Sequence, residues 1–179
     1  MTCLLADQFE TERLRLRPPL ASDAETIFES YATDAEVCRY LIWQPHASLA
    51  VTRNFLEECI TSRQTGNRLP FIIVDKSSMT VLGMIEARGE GHKVDIGYVL
   101  ARAHWGKGFM TEAVAELTRC ALAQPSIFRV QATCDVNNIA SARVLEKCRF
   151  VREARLGRYL IHPNVSPEPR DCFLYARVK

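Results

Sequence analysis

Two glycines between a predicted strand and a predicted helix form the part of the sequence best suited to bind a phosphate. Gly106 and Gly108 follow an apolar run that ends at Leu100, and a run with helical spacing begins directly after them. Glycine has no Cβ, so backbone N–H groups can approach a phosphate closely, and a helix start adds unpaired N–H donors and about half a positive charge. Lys107 adds a full positive charge. This segment therefore predicts a loop that binds a pyrophosphate.

Two other kinds of phosphate loop do not fit the sequence. A P-loop requires the string G-x-x-x-x-G-K-[ST], which does not occur in this chain. A dinucleotide-binding loop requires a third glycine where this chain has Thr111, and an acidic residue about 20 residues further on, which is missing. A lone Gly-x-Gly is also common where an ordinary loop enters a helix. The surrounding motifs therefore decide what the two glycines do.

Residues 105–113 read W-G-K-G-F-M-T-E-A and resemble the acetyl-CoA loop of the GNAT acetyltransferases, above all of their ribosomal-protein (Rim-type) branch. A second block, 138–148, resembles that branch's N-x-x-S-x-x-[VL]-[LM]-E-K-C motif. The opening T-E-R-L-R-L-R of 11–17 and the closing P-E-P-R-D of 167–171 look like the same branch. The motifs follow one another in the family's order over nearly the whole chain.

The resemblance implies that an acetyl group is transferred from acetyl-CoA to a primary amine, by direct attack on the thioester and without a metal. The first expectation for the acceptor is a protein N-terminal α-amino group. A small-molecule amine (an amino acid, a polyamine or an aminoglycoside) is the alternative, and a non-catalytic acyl-CoA-binding domain is a third reading. A homodimer is common in the branch that the chain resembles.

The resemblance also implies which residues hold the cosubstrate. The strand at 98–100 would separate from its neighbour and pair with the pantetheine amides, and a backbone N–H near Leu100 would polarise the thioester carbonyl. Asn138 would bond to the pantetheine arm. The full predicted cofactor-binding set is Tyr98, Val99, Leu100, Trp105, Gly106, Lys107, Gly108, Phe109, Met110, Thr111, Asn138 and Ser141.

The motifs leave the general acid and the general base open. Leu145 stands where many family members carry a tyrosine, and leucine cannot donate a proton. Ser141 is the remaining candidate to protonate the thiolate, although it can equally be a hydroxyl on the helix surface. Glu86 and Asp95 are candidates for the base that takes the proton of the amine. Each can equally be a solvated strand residue or a partner for the substrate's charge, and water alone is the alternative.

One departure from the family pattern predicts local strain. Arg149 stands where the glycine that ends the helix is normally found. A left-handed backbone at a residue other than glycine costs about 1 kcal/mol or somewhat more.

Composition excludes several classes of protein. The 179 residues are 47% apolar and 25% charged, as in ordinary globular proteins. The longest stretch without a charge, 40–52, is too short for a membrane-spanning helix, and 1–6 is too short for the core of a signal peptide. Composition therefore predicts one cytoplasmic domain over 1–179 with no membrane partner, and the resemblance implies that this domain is an N-acetyltransferase.

Charges, cysteines and histidines give weaker indications. Residues 1–90 carry 9 basic and 13 acidic side chains, a balance of −4, and residues 91–179 carry 14 and 8, a balance of +6. The basic half is consistent with an anionic ligand there. No stripe of basic and aromatic residues predicts binding to nucleic acid. The seven cysteines and four histidines show no metal-binding spacing, so we expect no metal.

The predicted elements must bring these residues together. Apolar spacing predicts strands over 11–17, 69–75, 80–88, 93–100, 127–134, 150–156 and 171–178, and helices from Ser22, from Ser48, over 106–123 and over 138–148. Ser22 with Glu25 is read as a capping box. This order predicts a mixed α+β domain. The resemblance implies a mixed, mostly antiparallel seven-stranded sheet flanked by about four helices, with a splayed strand pair that forms the acetyl-CoA cleft.

Overall fold

The strands of the protein form one mixed sheet. The structure, a computed structural model, describes residues 5–64, 66 and 68–179. Within this part of the chain the sheet has eight strands, which are β1 Phe9–Glu10, β2 Leu14–Arg17, β3 Arg68–Asp75, β4 Val81–Glu90, β5 Lys93–Leu100, β6 Arg129–Asp135, β7 Val151–Ile161 and β8 Pro169–Val178. Their order in the sheet is β1-β2-β3-β4-β5-β6-β8-β7, and the pairing of β5 with β6 is parallel whereas the others are antiparallel.

Helices cover both faces of this sheet. The α-helices of the described residues are α1 Ala24–Ile27, α2 Ala35–Cys38, α3 Leu49–Arg63, α4 Phe109–Ala123 and α5 Ile139–Lys147. A π-helical turn, Phe28–Ala32, follows α1, and a 3-10 turn, Arg102–His104, follows β5. Each helix among the described residues is too short or too polar to span a lipid bilayer.

The alternation of side chains along the strands gives two apolar cores. On β4, Ile85 and Ala87 point to one face and pack in the cluster that contains α4 and α5, whereas Met84 points to the other face and packs with α1 and α3. Successive residues of a strand point to opposite faces, so a strand that is apolar at every position requires helices on both sides. The continuous burial of Val81–Ala87 within β4 meets this requirement.

The predicted splayed strand pair is present. β5 and β6 are paired only between residues 93–95 and residues 129–131, and no further pairing joins them toward Leu100. The second half of β5 is therefore bonded on one edge to β4 and leaves its other edge free for a ligand. The mixed, mostly antiparallel α+β fold is confirmed.

Three details differ from the elements expected from sequence. The sheet has an eighth strand because Phe9–Glu10 pairs with β2. The capping box of Ser22 and Glu25 was wrong, because α1 begins at Ala24 and the carboxylate of Asp23 accepts the Leu20 N–H at 2.8 Å. The short helix α2 was not expected.

The strained end of α5 is confirmed. Arg149 has a φ of 64°, in the left-handed region. Its N–H donates to Glu146 O at 3.0 Å, and the N–H of Phe150 donates to Leu145 O at 3.0 Å. These bonds close the helix and turn the chain into β7.

Candidate functional site

A cleft of about 570 Å³ opens where β5 and β6 separate. It runs from the start of α4 to α2 and the residues that follow α2. We call its two ends the phosphate end, at 106–111, and the α2 end, at 36–41. Of the residues predicted to hold the cosubstrate, the structure brings into the cleft lining Tyr98, Val99, Leu100, Trp105, Gly106, Gly108, Phe109, Met110, Thr111, Asn138 and Ser141, but not the exposed Lys107.

The free edge of β5 presents backbone donors to the cleft. The N–H of Ala101 donates to Leu82 O of β4 at 2.8 Å. Because backbone groups of successive residues in a strand point to opposite edges, the N–H groups of Tyr98 and Leu100 face the cleft. The carbonyl of Leu100 accepts the indole N–H of Trp105 at 2.8 Å, which holds the strand end against the following loop. A ligand lying along this edge meets unpaired N–H donors.

The phosphate end depends on two left-handed glycines. Gly106 has a φ of 74° and Gly108 a φ of 80°, a conformation that strains any residue with a Cβ. Gly108 is the N-terminal cap of α4, so the helix starts directly at the cleft. No atom of the described residues lies within 4 Å of the Cβ position of Gly106, which leaves the loop open to a ligand. The arrangement suits an anion at a helix N-terminus.

An acidic residue in the first turn of α4 is turned away from this anion site. The carboxylate of Glu112 accepts bonds from Thr11 Oγ1 at 2.5 Å and from Arg13 Nε at 2.7 Å. Burial by itself raises the pKa of Glu112, but the hydrogen bonds from Thr11 and Arg13 outweigh it and hold the pKa below its usual value. Arg13 also donates to Lys107 O at 3.1 Å, so it ties the loop to the turn before β2.

Tyr98 and Ser141 form a hydrogen-bonded pair in the cleft wall. Their hydroxyl oxygens are 2.8 Å apart, and the Asn138 side chain caps α5 by accepting the Ser141 N–H at 3.2 Å. Burial raises the pKa of Tyr98, so its hydroxyl keeps its proton at neutral pH. Leu145, one turn further along α5, is fully buried in the core. The sequence did not indicate the pairing, because it depends on how α5 packs across β5.

The two predicted bases lie outside the cleft lining. Glu86 is 9% exposed and forms an ion pair with Arg68, with Nε and Oε1 2.6 Å apart. Asp95 is paired with Arg88. Both carboxylates stand on the sheet face that carries α1 and α3, near Gly97, which is opposite Glu86 in the β4–β5 register. The structure does not bring them to Ser141, and their role in catalysis stays a prediction.

The α2 end contains a carboxylate that the sequence did not single out. Glu36 is the only carboxylate among the described residues that line the cleft. Its side chain is 60% exposed, and Oε2 lies 3.9 Å from Arg39 Nη1. Asp34 caps α2 by accepting the Glu36 N–H at 2.9 Å. Aspartate is a preferred helix-capping residue, so Asp34 was the sequence signal for the start of this helix.

The loop between β7 and β8 is bonded to the α2 end. The Asn164 side-chain amide donates to Cys38 O and to Trp43 O, each at 2.7 Å. At the end of β6, the buried carboxylate of Asp135 accepts hydrogen bonds from Arg170 Nε at 2.5 Å and from Arg170 Nη2 at 3.1 Å. These bonds hold three distant segments of the chain around one end of the cleft.

The cysteines near the cleft are protonated thiols. Burial raises the pKa of Cys134 to about 11 and the pKa of Cys148 to about 11, so neither is a thiolate at neutral pH. The six cysteines of the described chain are free. In that same part of the chain, no group of three His, Cys, Asp or Glu side chains is arranged to hold a metal ion.

The chain is similar to several known proteins. Residues 13–151 match the family described as "Acetyltransferase (GNAT) domain". An uncharacterized N-acetyltransferase, p20 of Bacillus licheniformis, is 31% identical over 154 residues, which are 83% of this chain and 85% of that one.

Two solved structures share the fold. The microcin C7 self-immunity acetyltransferase MccE, solved with acetyl-CoA and AMP, superposes with a TM-score of 0.86 at 22% identity over 100% of both chains. RimL, a ribosomal L7/L12 α-N-protein acetyltransferase solved with coenzyme A, gives a TM-score of 0.81 at 22% identity over 94% of this chain and 95% of that chain. At these identities the likeness concerns the fold alone.

Proposed function

The chain belongs to the GNAT acetyltransferase family and is an acetyl-CoA-dependent N-acetyltransferase, and we propose that its acceptor is the α-amino group of a protein N-terminus. The observation that carries this proposal is the α2 end of the cleft, which lies at the surface. Glu36 and Arg39 there are 60% and 53% exposed. A peptide can place its terminal amine in such a mouth while the rest of its chain stays outside. RimL, an α-N-protein acetyltransferase, shows that this fold can take such an acceptor.

The cosubstrate lies along the cleft in this proposal. Its pyrophosphate accepts N–H groups at the start of α4, with Gly106 and Gly108 giving the close approach and Lys107 a positive charge. The pantetheine arm bonds to the free edge of β5 and to Asn138. The thioester carbonyl accepts the N–H of Leu100, which stabilises the negative charge that develops on that oxygen.

The acetyl group then passes directly to the amine. The neutral nitrogen attacks the thioester carbon, the C–N bond forms, and the C–S bond breaks as the tetrahedral intermediate collapses. Ser141 donates its proton to the leaving sulfur and takes the proton of the Tyr98 hydroxyl, whose oxygen is 2.8 Å away, in the same step. Tyr98 regains a proton from solvent, which receives the proton that the nitrogen loses. The proton that the nitrogen loses balances the proton that the sulfur gains.

Three carboxylates are candidates for the group that takes the proton from the amine. Glu86 and Asp95 are paired with arginines on the sheet face of α1 and α3, whereas Glu36 lines the cleft. Glu36 is favoured because, among the described residues, it is the carboxylate that lines the cleft. The variants Glu36→Gln, Glu86→Gln and Asp95→Asn separate the three, because removal of the base changes the acidic limb of the kcat/KM pH profile. A profile altered only by Glu86→Gln or only by Asp95→Asn assigns the role to that residue.

Release of the free thiol from acetyl-CoA tests the acceptor class. Peptides that begin with Ala or Ser are expected to release thiol, and the same peptides acetylated beforehand are expected to release none. The single variants Ser141→Ala and Tyr98→Phe test the general acid, and each is expected to lower kcat about 100-fold. Release with small amines alone contradicts the protein acceptor.

A small-molecule amine is the second candidate. The negative balance of residues 1–90, which include Glu36, suits a cationic amine. The thiol-release panel therefore includes an amino acid, a polyamine and an aminoglycoside. Turnover of any amine excludes a non-catalytic acyl-CoA-binding domain. A cytoplasmic location and a homodimer belong to the same proposal, and sedimentation of the purified chain tests the homodimer.

A further inference from the structure

One carboxylate fastens the turn between β1 and β2 to the first turn of α4. Glu112 Oε1 accepts the Thr11 hydroxyl at 2.5 Å and the Arg13 backbone N–H at 3.0 Å. Glu112 Oε2 accepts Arg13 Nε at 2.7 Å and lies 2.6 Å from Arg13 Nη2. Both carboxylate oxygens are therefore held by the turn at 11–13. We call these three side chains, Thr11, Arg13 and Glu112, the brace.

The remaining donor group of the same guanidinium holds the glycine loop. Arg13 Nη1 donates to Lys107 O at 3.1 Å, and Lys107 stands between the two left-handed glycines. Arg13 Cζ lies 4.6 Å from the centre of the Phe109 ring, and Arg13 Nη2 lies 3.5 Å from the Cβ position of Gly108. One arginine thus contacts three successive residues of the loop and the helix start, and Glu112 fixes its orientation.

The turn at 11–13 is itself anchored to the sheet. Lys76, in the turn after β3, donates its backbone N–H to Arg13 O at 2.9 Å and its ammonium group to Thr11 O at 3.0 Å. The N–H of Leu14, the first residue of β2, donates to Thr11 Oγ1 at 2.9 Å. A continuous series of hydrogen bonds therefore connects the sheet to the glycine loop through the brace.

We propose that the brace residues Thr11, Arg13 and Glu112 are positioning residues for the pyrophosphate of acetyl-CoA. None of the three belongs to the described residues that line the cleft, so they act on the ligand through the loop. The brace holds the loop in its binding conformation in the free protein. A loop that is already ordered does not lose conformational entropy when the ligand binds, so the ligand binds more tightly.

The charges of the brace also have a purely electrostatic interpretation, which predicts different results. A carboxylate in the first turn of a helix stabilises that helix but repels an anion bound there, so Glu112→Gln would strengthen the binding of coenzyme A. Arg13 would act as a nearby cation, so Arg13→Lys would leave the affinity unchanged. The positioning role predicts a loss in both variants. Glutamine lacks the charge that orients the guanidinium, and lysine lacks the fork that reaches Glu112 and Lys107 O together.

The experiment compares two acetyl donors, of which only one has a pyrophosphate. Acetyl-CoA and S-acetylpantetheine share the thioester and both pantetheine amides, but S-acetylpantetheine carries no phosphate for the loop to hold. For both donors, kcat/KM is taken from thiol release with the same acceptor, and the dissociation constant of coenzyme A is measured by calorimetry without an acceptor. The variants are Thr11→Val, Arg13→Lys, Arg13→Gln, Glu112→Gln and the double variant Arg13→Gln/Glu112→Gln.

A second arginine–glutamate pair on α4 provides the matched control. Arg119 Nε and Nη2 donate to the Glu116 carboxylate at 2.9 and 2.7 Å, and the Glu116 side chain is 19% exposed, against 20% for Glu112. Neither residue belongs to the described cleft lining. Arg119→Gln and Glu116→Gln therefore remove the same kind of pair from the same helix, without a contact to the loop. Thermal unfolding of every variant checks that it is folded.

We expect Arg13→Gln and Glu112→Gln each to weaken the binding of coenzyme A about tenfold, because each breaks charge-assisted hydrogen bonds that orient the loop. The double variant loses little more than either single variant, since both substitutions break one connection. Arg13→Lys loses nearly as much as Arg13→Gln, and Thr11→Val loses less. The kcat/KM for S-acetylpantetheine, the kcat and the KM for the acceptor keep their wild-type values, as do all of these quantities in both control variants.

Three results overturn the proposal. They are a gain in affinity for coenzyme A in Glu112→Gln, wild-type affinity in Arg13→Lys, and equal losses of kcat/KM for the two acetyl donors, which would indicate a general structural role. The proposal rests on the cleft being the cosubstrate site, as proposed above, and the two can fail separately. Equal affinity for coenzyme A in the wild type and all variants removes the role of the brace and leaves the site in place. Absence of coenzyme A binding to the folded wild type removes both.

Discussion

The two ends of the cleft are built in different ways. The phosphate end and the β5 edge beside it come almost entirely from one continuous segment, 95–113, in which strand-edge N–H groups and two left-handed glycines face the cleft. The α2 end joins α2, the end of β6 and the β7–β8 loop, which are far apart in the chain and are held by Asn164 and Asp135. A site made of backbone can be recognised from a short motif. A site made of side-chain contacts between distant segments cannot.

The β5 edge beside the phosphate end depends on one close approach of two strands. A Cβ at Gly83 of β4 would lie 2.2 Å from Val99 O and 2.9 Å from Leu100 Cα of β5. Both are backbone atoms, so no side-chain rotation relieves the clash. The strand edge that faces the cosubstrate is therefore placed by a glycine outside the motif.

Of the substitutions that separate the two ends, Gly83→Ala is expected to lower the free energy of unfolding and the affinity for coenzyme A the most. The added Cβ forces β4 and β5 apart, which costs about 3 kcal/mol of unfolding free energy and displaces the Leu100 N–H. We expect more than a tenfold loss of affinity for coenzyme A, measured by calorimetry, together with a lower Tm.

Gly157→Ala is the matched control for this substitution. Gly157 has no positive φ, and none of the residues that the structure describes places an atom within 4 Å of its Cβ position. We expect a change in unfolding free energy of about 0.5 kcal/mol or less and unchanged affinity for coenzyme A. An equal loss in both variants contradicts the role of the close approach at Gly83.

The phosphate end could be predicted because its chemistry is local. A strand, a glycine loop and a helix start follow directly in the sequence, so residue types at fixed spacing determine which N–H groups meet. The left-handed Arg149 was predicted from the resemblance, because it replaces the family's helix-ending glycine. Packing between elements decided the rest. The 2.8 Å pair of Tyr98 and Ser141 depends on how α5 crosses β5, and no local pattern carries that information.

Asp135→Asn changes the α2 end and is expected to cause the second largest loss of unfolding free energy. Burial by itself raises the pKa of Asp135, and the bonds from Arg170 and from the Asn137 N–H outweigh it, so that the pKa lies below the usual 3.8. Because Arg170 is partly exposed, we expect Asp135→Asn to lower the free energy of unfolding by only about 2 kcal/mol at pH 7, measured by denaturant unfolding.

The pH dependence of this loss has a definite sign. A carboxylate with a lowered pKa in the folded state stabilises the fold above its unfolded pKa, and the contribution disappears as the pH falls through the folded value. The difference between the wild type and Asp135→Asn is therefore constant above about pH 5 and shrinks below pH 3.8. A difference that stays constant into acid contradicts the stabilising pair.

Asn164→Ala tests whether the α2 end can be altered without changing cosubstrate binding. It removes both bonds that hold the β7–β8 loop to Cys38 O and Trp43 O, at a cost of about 1–2 kcal/mol. We expect about a tenfold rise in KM for the acceptor, with the affinity for coenzyme A unchanged. Equal losses for both ligands show that the ends are not independent.

The sequence offered little at the α2 end for a physical reason. The Asn164 amide and its two carbonyl partners are separated by more than 100 residues, and a lone asparagine in a loop is usually read as a turn residue. The short α2 has a clear cap at Asp34, but four helical residues give too little apolar periodicity to predict a helix.

Arg149→Gly is expected to have the smallest effect and tests whether strain at the end of α5 concerns the cleft at all. With a φ of 64°, Arg149 loses about 1 kcal/mol relative to glycine, so the variant gains up to that amount in unfolding free energy. The gain is partly offset because glycine has more freedom in the unfolded chain. The last turn of α5 already rests on α4 through Cys148 and Thr111, so affinity for coenzyme A and the acceptor KM should both stay at their wild-type values. A variant that is more stable yet binds coenzyme A less tightly would show that the left-handed arginine helps to hold the phosphate end in place, and that the backbone of this end extends beyond its motif.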